Sequence, residues 1–234
     1  RISNKGITPN DSNTIDFKDV SFIYPQGERY IFENFNLHIT TGERIAITGK
    51  SGCGKTTLLK LLTGIIQPTQ GRILFSGVDM RDIDLSEMHK RIGFVMQENM
   101  LFNVSIRENL LYGKSNATDD DLREACQKAC IYDFIQSLPE KYETIIGEKG
   151  IKLSGGQKQR IVLARLFLRQ VDIFIFDEAT SALDQYSESI IHDVIKNIGQ
   201  DKTIIIVAHR KSSLSLCDRI IQLNNPKAVG IHEL

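Results

Sequence analysis

Apolar residues change their spacing along the chain, and the changes predict an α/β protein. Near the N-terminus, IDFKDVSFIY and YIFENFNLHI alternate apolar and polar positions, as strands with one buried face do. QPTQGRILFSG predicts another strand between two turns, and HKRIGFVMQ ends in a further strand. Continuous apolar runs, typical of strands buried on both faces of a largely parallel sheet, occur in GERIAITG, DIFIFDE and KTIIIVAH.

Helical spacing follows the first glycine-rich turn, in TTLLKLLTGII, and dominates from about 103 to 170. The second region contains SIRENLLYG, DDDLREACQKACIYDFIQSL and QKQRIVLARLFLR. Within it, Asp119–Asp121 predict an N-cap and a negatively charged first turn of a helix. A helical segment is therefore expected to interrupt an α/β core, and the chain shows no internal repeat.

Composition narrows the class of protein. The 234 residues suffice for one large domain, or for a domain with a subdomain. Lys and Arg number 29, as do Asp and Glu, so there is no basic excess to favour nucleic-acid binding. No apolar stretch reaches the length of a membrane span, and the polar N-terminus lacks the apolar region of a secretory signal. The chain begins with Arg1, which suggests a piece of a longer polypeptide.

The four cysteines are Cys53, Cys126, Cys130 and Cys217, and no C-x-x-C pair occurs. This pattern disfavours a disulfide framework or a zinc site, and it predicts reduced thiols.

The stretch GKSGCGKTT, residues 49–57, has the G-x-x-x-x-G-K-[ST] spacing of a P-loop between a predicted strand and a predicted helix. Its glycines allow backbone N–H groups to point at phosphates, Lys55 would reach the β- and γ-phosphates, and the Thr56 hydroxyl would hold Mg²⁺. A chance glycine turn with an exposed lysine is the alternative, and the flanking strand and helix argue against it. The predicted nucleotide-binding residues here are Gly49, Lys50, Ser51, Gly52, Cys53, Gly54, Lys55, Thr56 and Thr57.

Two acids follow the apolar strand VDIFIF. At the tip of a buried strand beside the P-loop strand, Asp177 would hold Mg²⁺ through water. Glu178 would stand near the γ-phosphate and orient or deprotonate an attacking water. The alternative is that both acids only cap the strand or the turn after it.

LSGGQKQR, residues 153–160, is a second glycine-rich stretch before a predicted helix. Adjacent glycines expose backbone N–H groups, and the positive end of a helix dipole attracts an anion. The chain thus carries a second candidate phosphate contact, apart from the P-loop.

Together these motifs resemble the nucleotide-binding domain of an ATP-binding cassette (ABC) transporter, from about Ile15 to the last residue. LSGGQ is similar to the family signature, and VMQE fits its glutamine loop at Gln97. SALD fits the D-loop at Ser181–Asp184, and VAHR fits the switch histidine at His209. Each short motif is weak alone, but their order and spacing are specific.

The resemblance implies a P-loop NTPase core with a largely parallel sheet, an N-terminal antiparallel β subdomain and an inserted α-helical subdomain at about 98–168. Residues 1–14 would end a linker from a transmembrane domain, and residues 15–234 would form the ATPase domain.

In this family two domains dimerise head to tail, and each ATP lies between one P-loop and the partner's signature. The resemblance therefore assigns nucleotide contacts to Ser154, Gly155, Gly156, Gln157 and Asp184. The second glycine-rich stretch would be half a site offered to a partner.

By the same resemblance, Tyr24 would stack on adenine; the less favoured alternative is an aromatic residue of a sheet face. Gln97 would coordinate Mg²⁺ together with Thr56 and Asp177. Glu178 would be the general base, and His209 would contact the γ-phosphate and hold Glu178 and water in place, unless it is merely structural.

Local features favour the exporter branch of the family. MLFNVSIRENLLYG and YETIIGEKGIKLSGGQKQR resemble exporter segments, although Ile145 stands where the exporter X-loop usually has an acid, and Glu148 fits its second acid. We expect an ATPase domain, binding ATP and Mg²⁺, at the cytoplasmic face of a membrane. Its partners would be a second ATPase domain and a transmembrane domain of the same polypeptide, with no nucleic acid.

Three alternatives remain open from the sequence. One is an importer subunit, and another is a soluble ABC ATPase of DNA repair, chromosome organisation or translation, which would usually carry coiled coils, zinc modules or a second cassette. The third is a non-hydrolysing regulatory module, which would usually show a substituted base or signature.

Overall fold

The computed structural model describes residues 6–97, 100–147, 153–225 and 228–233, with side chains as far as residue 223. The chain divides into two compact units. Unit 1 comprises the described residues of Arg1–Ile92, Asp172–Ile175 and Gln200–Leu234, and unit 2 those of Gly93–Val171 and Phe176–Gly199.

Within the described residues the chain forms ten strands and eight α-helices. The strands are β1 (Ile15–Phe22), β2 (Phe32–Ile39), β3 (Arg44–Gly49), β4 (Gln70–Phe75), β5 (Val78–Asp79), β6 (Ile92–Met96), β7 (Ile173–Asp177), β8 (Thr203–Val207), β9 (Arg219–Asn225) and β10 (Ala228–Glu233). The helices are α1 (Lys55–Leu62), α2 (Leu85–Arg91), α3 (Ile106–Leu111), α4 (Asp119–Lys128), α5 (Tyr132–Ser137), α6 (Gly155–Arg169), α7 (Gln185–Lys196) and α8 (Lys211–Leu214).

The alternating N-terminal stretches form a four-stranded antiparallel sheet in unit 1, in the order β2-β1-β4-β5. Ile15 of β1 is paired with Ile39 of β2 on one side and with Phe75 of β4 on the other. All three side chains are fully buried, because the alternation directs one face of the sheet into the core. The expected N-terminal antiparallel β subdomain is confirmed.

A second sheet contains the continuous apolar runs. In unit 1 its strand order is β10-β9-β3-β8-β7, with β3 parallel to both β8 and β9 and β10 antiparallel to β9. Strand β7 begins in unit 1 and ends in unit 2, where β6 is its neighbour. Every residue of β8 is buried, as burial on both faces of a parallel sheet requires. The predicted α/β fold class with a largely parallel sheet is confirmed.

Unit 2 contains the helices predicted after residue 103, and α3 and α4 both pack against the long helix α6. The predicted cap of α4 is wrong: Thr118 is the N-cap, and Asp119–Asp121 form the first turn. Thr118 Oγ1 accepts a hydrogen bond from Asp121 N at 3.2 Å, and Thr118 N donates to Asp121 Oδ2 at 2.9 Å. This reciprocal capping box satisfies two N–H groups, which an aspartate one position later would not do.

Helix α2 was not predicted, because only Met88 of its residues is buried and one buried residue gives no periodic signal. Its start is nevertheless marked by Asp84, whose side chain accepts a hydrogen bond from Ser86 N at 2.9 Å. Among the described residues, no helix combines the length and the apolar character needed to cross a bilayer. The division into a linker at 1–14, an ATPase domain at 15–234 and a helical subdomain at about 98–168 remains a prediction.

We predict that Thr118→Ala lowers the free energy of unfolding by about 1 kcal/mol, because the Asp121 N–H loses the Thr118 hydroxyl as its acceptor. Asp120→Ala is the control: Asp120 pairs with Arg123 at 2.9 Å on an exposed surface, so its loss should cost about 0.5 kcal/mol or less. Urea unfolding of both variants measures the difference. An equal loss in the two variants would contradict the assignment of Thr118 as the cap.

We predict that thiol reagents at pH 8 modify Cys130 and Cys53 in the folded chain but spare the other two cysteines. Cys130 is exposed and Cys53 is partly exposed, whereas burial raises the pKa of Cys126 to about 11 and that of Cys217 to about 12. A buried thiol kept protonated at pH 8 is not a nucleophile. Mass spectrometry before and after denaturation counts the modified thiols, and early modification of Cys126 or Cys217 would contradict the prediction.

Candidate functional site

The predicted P-loop joins β3 to α1 in unit 1, and its first glycine is required by the surroundings. Gly49 has φ +150°, and an added Cβ would lie 2.5 Å from the Leu223 carbonyl oxygen and 2.6 Å from Cys53 Sγ. Gly52 and Gly54 also have positive φ, at +78° and +107°. The glycine spacing thus matches the backbone that a tight loop needs, since side chains rarely adopt these angles.

Lys55 follows this loop as the first residue of α1 and is only 8% exposed. Its Nζ donates to the Gly49 carbonyl at 2.8 Å and to the Lys50 carbonyl at 3.3 Å. Cys53 N also donates to the Lys50 carbonyl, at 3.2 Å. The position of the ammonium group is therefore fixed by main-chain oxygens of the turn, without a bound phosphate.

Helix α1 begins directly after the loop, with Gly54 as its N-cap and no side-chain cap. The first N–H groups of a helix lack intrahelical partners, and the helix dipole makes this end positive. Thr56, in the first turn, is exposed. The start of α1 therefore fits an anion such as a phosphate group, with a hydroxyl nearby for a metal ion.

Tyr24 is anchored to the same helix. Its hydroxyl lies 3.0 Å from Thr57 Oγ1, and its ring packs at 4.9 Å and nearly perpendicular against Phe22. The residue is 38% exposed, so part of the ring remains accessible to a base. These contacts suit either an adenine platform or an aromatic residue of the sheet, and the role of Tyr24 stays a prediction.

His209 lies at the same edge of the parallel sheet as the P-loop. Ile47 of β3 is paired with Val207 of β8, and Ala208 N donates to the Ile47 carbonyl at 3.3 Å. His209 and Gly49 each follow these paired residues by two positions, and His209 is exposed. Unit 1 thus brings the predicted histidine to the end of the sheet where the phosphate loop begins.

Unit 2 holds the two predicted acids, at the end of β7 and just after it. Asp177 is the last residue of β7, and Glu178 has the left-handed φ of +49°. Ser181 donates to the Glu178 carbonyl with its N–H at 3.0 Å and with its hydroxyl at 2.7 Å. A tight turn therefore fixes the backbone on which Glu178 is carried.

The second glycine-rich stretch starts α6, with Ser154 as the N-cap. Ser154 Oγ accepts from Gln157 N at 3.2 Å, and Ser154 N donates to Gln157 Oε1 at 2.8 Å. The helix start is thus stabilised by its own capping box, unlike the start of α1.

The signature segment packs closely on the D-loop and on the first turn of α7 in the same chain. A Cβ at Gly156 would lie 2.7 Å from Ser187 Cβ, and one at Gly155 would lie 3.1 Å from Leu183 Cδ2. Asp184 caps α7 by accepting from Ser187 N and Ser187 Oγ, both at 2.9 Å, and these bonds hold the pKa of Asp184 below its ordinary value. Unit 2 therefore brings the signature and the D-loop together, an association that the sequence did not indicate.

Gln97 is exposed and directly follows β6. Of the two X-loop positions, Ile145 is 55% exposed, and Glu148 lies outside the described residues. The roles predicted for all these site residues stay predictions.

A polar pair that sequence reasoning missed supports the segment after the glutamine loop. Asn109 is fully buried, and its Nδ2 donates to the carbonyls of Phe102 and Ser105, both at 3.0 Å. Arg165 donates to the Met100 carbonyl at 2.9 Å and also contacts Asn109 Oδ1. Burial lowers the pKa of Arg165 to about 10.

These contacts fix a segment that presents large apolar side chains to solvent. Met100 is 78% exposed, and the Phe102 ring packs at 4.4 Å against Tyr112, which is 62% exposed. Ile145 adds a further exposed apolar residue through the β-bridge between it and Ser105. We call Met100, Phe102, Tyr112 and Ile145 the apolar patch.

Comparison with known proteins identifies the family of the chain. The family model described as ABC transporter matches residues 32–181. The chain is 44% identical over 220 residues to a putative multidrug export ATP-binding/permease protein of Staphylococcus aureus (strain NCTC 8325 / PS 47), covering 93% of this chain and 38% of that protein. It is 42% identical over 217 residues to the similarly described YgaD of Bacillus subtilis (strain 168), covering 93% and 37%.

Among solved structures, the chain is similar to a bacterial Atm1-family ABC exporter with ATP bound, with a TM-score of 0.87 and 35% identity. The match covers 97% of this chain and 40% of that one. The chain thus spans about two fifths of the length of the relatives that it matches. The family match and these identities show that the chain belongs to the ABC transporter family and corresponds to the ATPase domain of its exporter-type members.

Proposed function

We propose that two copies of this domain, or this domain and a second cassette, bind two ATP molecules head to tail, hydrolyse them and thereby power export through a transmembrane domain. The observation that carries the proposal is the Lys55 ammonium group, which the Gly49 and Lys50 carbonyls hold at the start of α1, where no side chain caps the helix. This arrangement suits a phosphate group. Relatives described as ATP-binding/permease proteins support the coupling to a membrane part.

Phosphate binding would replace the hydrogen bonds of Lys55 to two neutral carbonyls by stronger ones to charged oxygens. Mg²⁺ would be held by the Thr56 hydroxyl, Gln97 and Asp177, whose oxygen atoms are the hard donors that this ion prefers. In the described part of the chain no three His, Cys, Asp or Glu residues cluster around a metal position. A ligand set of one hydroxyl, one amide and one carboxylate suits an ion that takes its other ligands from water and from the phosphates of the nucleotide. When bound, Mg²⁺ offsets the negative charge of those phosphates.

Hydrolysis would begin when the Glu178 carboxylate accepts a proton from water as the water oxygen attacks the γ-phosphorus atom. The bond from that phosphorus to the bridging oxygen breaks, and ADP and phosphate leave. His209 would contact the γ-phosphate and keep the water oriented. Most of the acceleration would come from positioning and from charge stabilisation, as is general for phosphoryl transfer.

The partner's signature would complete each site. Ser154 Oγ accepts a hydrogen bond from Gln157 N, which leaves its own O–H free to donate. A γ-phosphate from the partner's P-loop can accept that O–H while the capping box stays intact. The N–H groups at the start of α6 would add the favourable helix dipole. ATP would therefore stabilise the dimer of the two domains, and hydrolysis would destabilise it.

The apolar patch would receive the membrane part of the same polypeptide. Exposed aromatic and methionine side chains on a rigid segment are typical of a protein-binding surface. The relatives are ATP-binding/permease proteins of which this chain spans about two fifths, so a permease portion of the longer protein is the occupant we propose. The domain would then work at the cytoplasmic face of a membrane. Neither an importer nor a soluble ATPase is favoured by the relatives reported above.

We predict that the ATPase rate per molecule rises with protein concentration and that Glu178→Gln lowers kcat by about 10²-fold or more, because the general base is lost. With ATP and Mg²⁺, the Glu178→Gln variant should elute from a sizing column as a dimer, and without ATP as a monomer. Rates and elution volumes of the 234-residue chain measure both effects. A rate that is independent of concentration, with a monomeric variant in ATP, would contradict head-to-tail completion of the site.

We predict that Lys55→Met weakens ATP binding by about 10- to 100-fold, because charge-assisted hydrogen bonds to the phosphates are worth about 1.5–3 kcal/mol. Lys60→Met, on the same helix but partly exposed, is the matched control and should bind ATP normally. Titration with a fluorescent ATP analogue measures the dissociation constants. Equal weakening in both variants would show a general effect of positive charge and would contradict the role given to Lys55.

A further inference from the structure

The catalytic turn of unit 2 receives a hydrogen bond from a residue to which no role has been assigned. Gln159 lies in the second turn of α6 and is 2% exposed. Its Nε2 donates to the carbonyl oxygen of Ala179, the residue that follows Glu178. The helix that starts at the signature is thus bonded to the turn that carries the proposed general base.

The carbonyls of this turn are held in different ways. Those of Glu178 and Thr180 accept from Ser181 and from Leu183 N, which are local contacts within the turn. The Ala179 carbonyl accepts from Gln159, 20 residues away along the chain. The local bonds give the turn its shape, whereas the bond from Gln159 fixes that shape relative to α6.

The turn needs such support because Glu178 has a φ of +49°. For a residue other than glycine, the left-handed conformation costs about 1–2 kcal/mol and persists only where the surroundings impose it. If the turn relaxed, the first atoms to move would be those of the Glu178 backbone, and the carboxylate would move with them.

The amide oxygen of Gln159, Oε1, indicates that glutamine is not the most stabilising residue for this position of the fold. Its Oε1 is buried and has no hydrogen-bond partner within the described residues. A buried acceptor without a partner costs about 1–3 kcal/mol, so an apolar side chain of similar size would compete well on packing grounds. The donor function of Nε2 is what an apolar side chain cannot supply.

We propose that Gln159 is a positioning residue for ATP hydrolysis, which holds the Ala179 carbonyl so that the Glu178 carboxylate stays aligned with the attacking water. The inference rests on the function proposed above. Gln159 touches no reacting atom in this scheme and acts through Glu178.

The test compares Gln159→Met, which keeps the volume and removes the donor, with Gln127→Met, the same change at an exposed position of α4. We expect kcat of Gln159→Met to fall by about 10- to 100-fold, the loss associated with slight misplacement of a reacting group. KM for ATP and ATP-dependent dimerisation should change by less than about twofold, and Gln127→Met should match the unmodified chain. An unchanged kcat in Gln159→Met would overturn the inference.

A double-mutant cycle separates positioning from a general structural effect. Adding Gln159→Met to Glu178→Gln should reduce the residual rate by less than about twofold, because the base that Gln159 aligns is already absent. Single-turnover hydrolysis with labelled ATP measures these slow rates. Equal losses in both backgrounds would mean that Gln159 acts independently of Glu178 and would overturn the inference.

Thermal unfolding shows whether Gln159→Met is folded. If it is not, Gln159→Asn decides, since its shorter amide keeps the polarity but falls short of the Ala179 carbonyl, and the same fall in kcat is expected. If the unmodified chain is no faster than Glu178→Gln, the proposed function itself fails, and the inference fails with it. If the unmodified chain is faster but the Gln159 variants keep its kcat, only the inference fails.

Discussion

Strand β3 is hydrogen-bonded to parallel strands on both sides, and the phosphate loop depends on this pairing. Its residues Ile45, Ala46 and Ile47 are fully buried between β8 and β9. A strand fixed in this way can end in a glycine whose neighbouring carbonyl lies too close for any side chain. It can also support a buried ammonium group on main-chain oxygens, because the loop cannot relax away from it. The same parallel register brings the chain after β8 to the loop, which is how His209 reaches this edge of the sheet.

Helices α1 and α6 both begin at a glycine-rich stretch, but the two helices differ in how the N–H groups of their first turn are satisfied. At α1 no side chain caps the first turn, so its N–H groups are available to an anion that comes with the nucleotide. At α6 the Ser154–Gln157 capping box satisfies the start of the helix, and Gly155 and Gly156 allow close packing on Leu183 and Ser187. The start of α6 therefore has hydrogen-bond and packing partners within its own chain, while the Ser154 hydroxyl can still donate. This difference fits the proposal that the start of α1 binds the chain's own nucleotide, whereas the start of α6 contacts a partner's nucleotide only in the dimer.

Sequence was sufficient where the signal was continuous or local in the chain. Apolar runs predicted the buried parallel strands, and motif spacing located the P-loop and the signature. The cap of α4 was misjudged because Thr118 and Asp119 are both good caps, and only the geometry of the turn selects between them. The partners of Gln159 and Arg165 could not be predicted, because the buried amide and the half-buried guanidinium meet their partners through the fold, 20 and 56 residues away. Such residues look like ordinary polar positions of a helix until the packing around them is known.

Helix α6 connects three features of unit 2 that are distant in sequence. The signature lies at its start, Gln159 reaches the Glu178 turn from its second turn, and Arg165 holds the Met100 segment from its last turns. Fifteen residues make a rod of about 22 Å, whose backbone hydrogen bonds resist bending. Because all three contacts are made by one rigid element, none can shift far without straining the other two. This explains why α6, whose buried residues are mostly apolar, also carries Gln159 and Arg165. Each of these side chains fixes the helix in position relative to another segment of unit 2, which apolar packing, being non-directional, does less well.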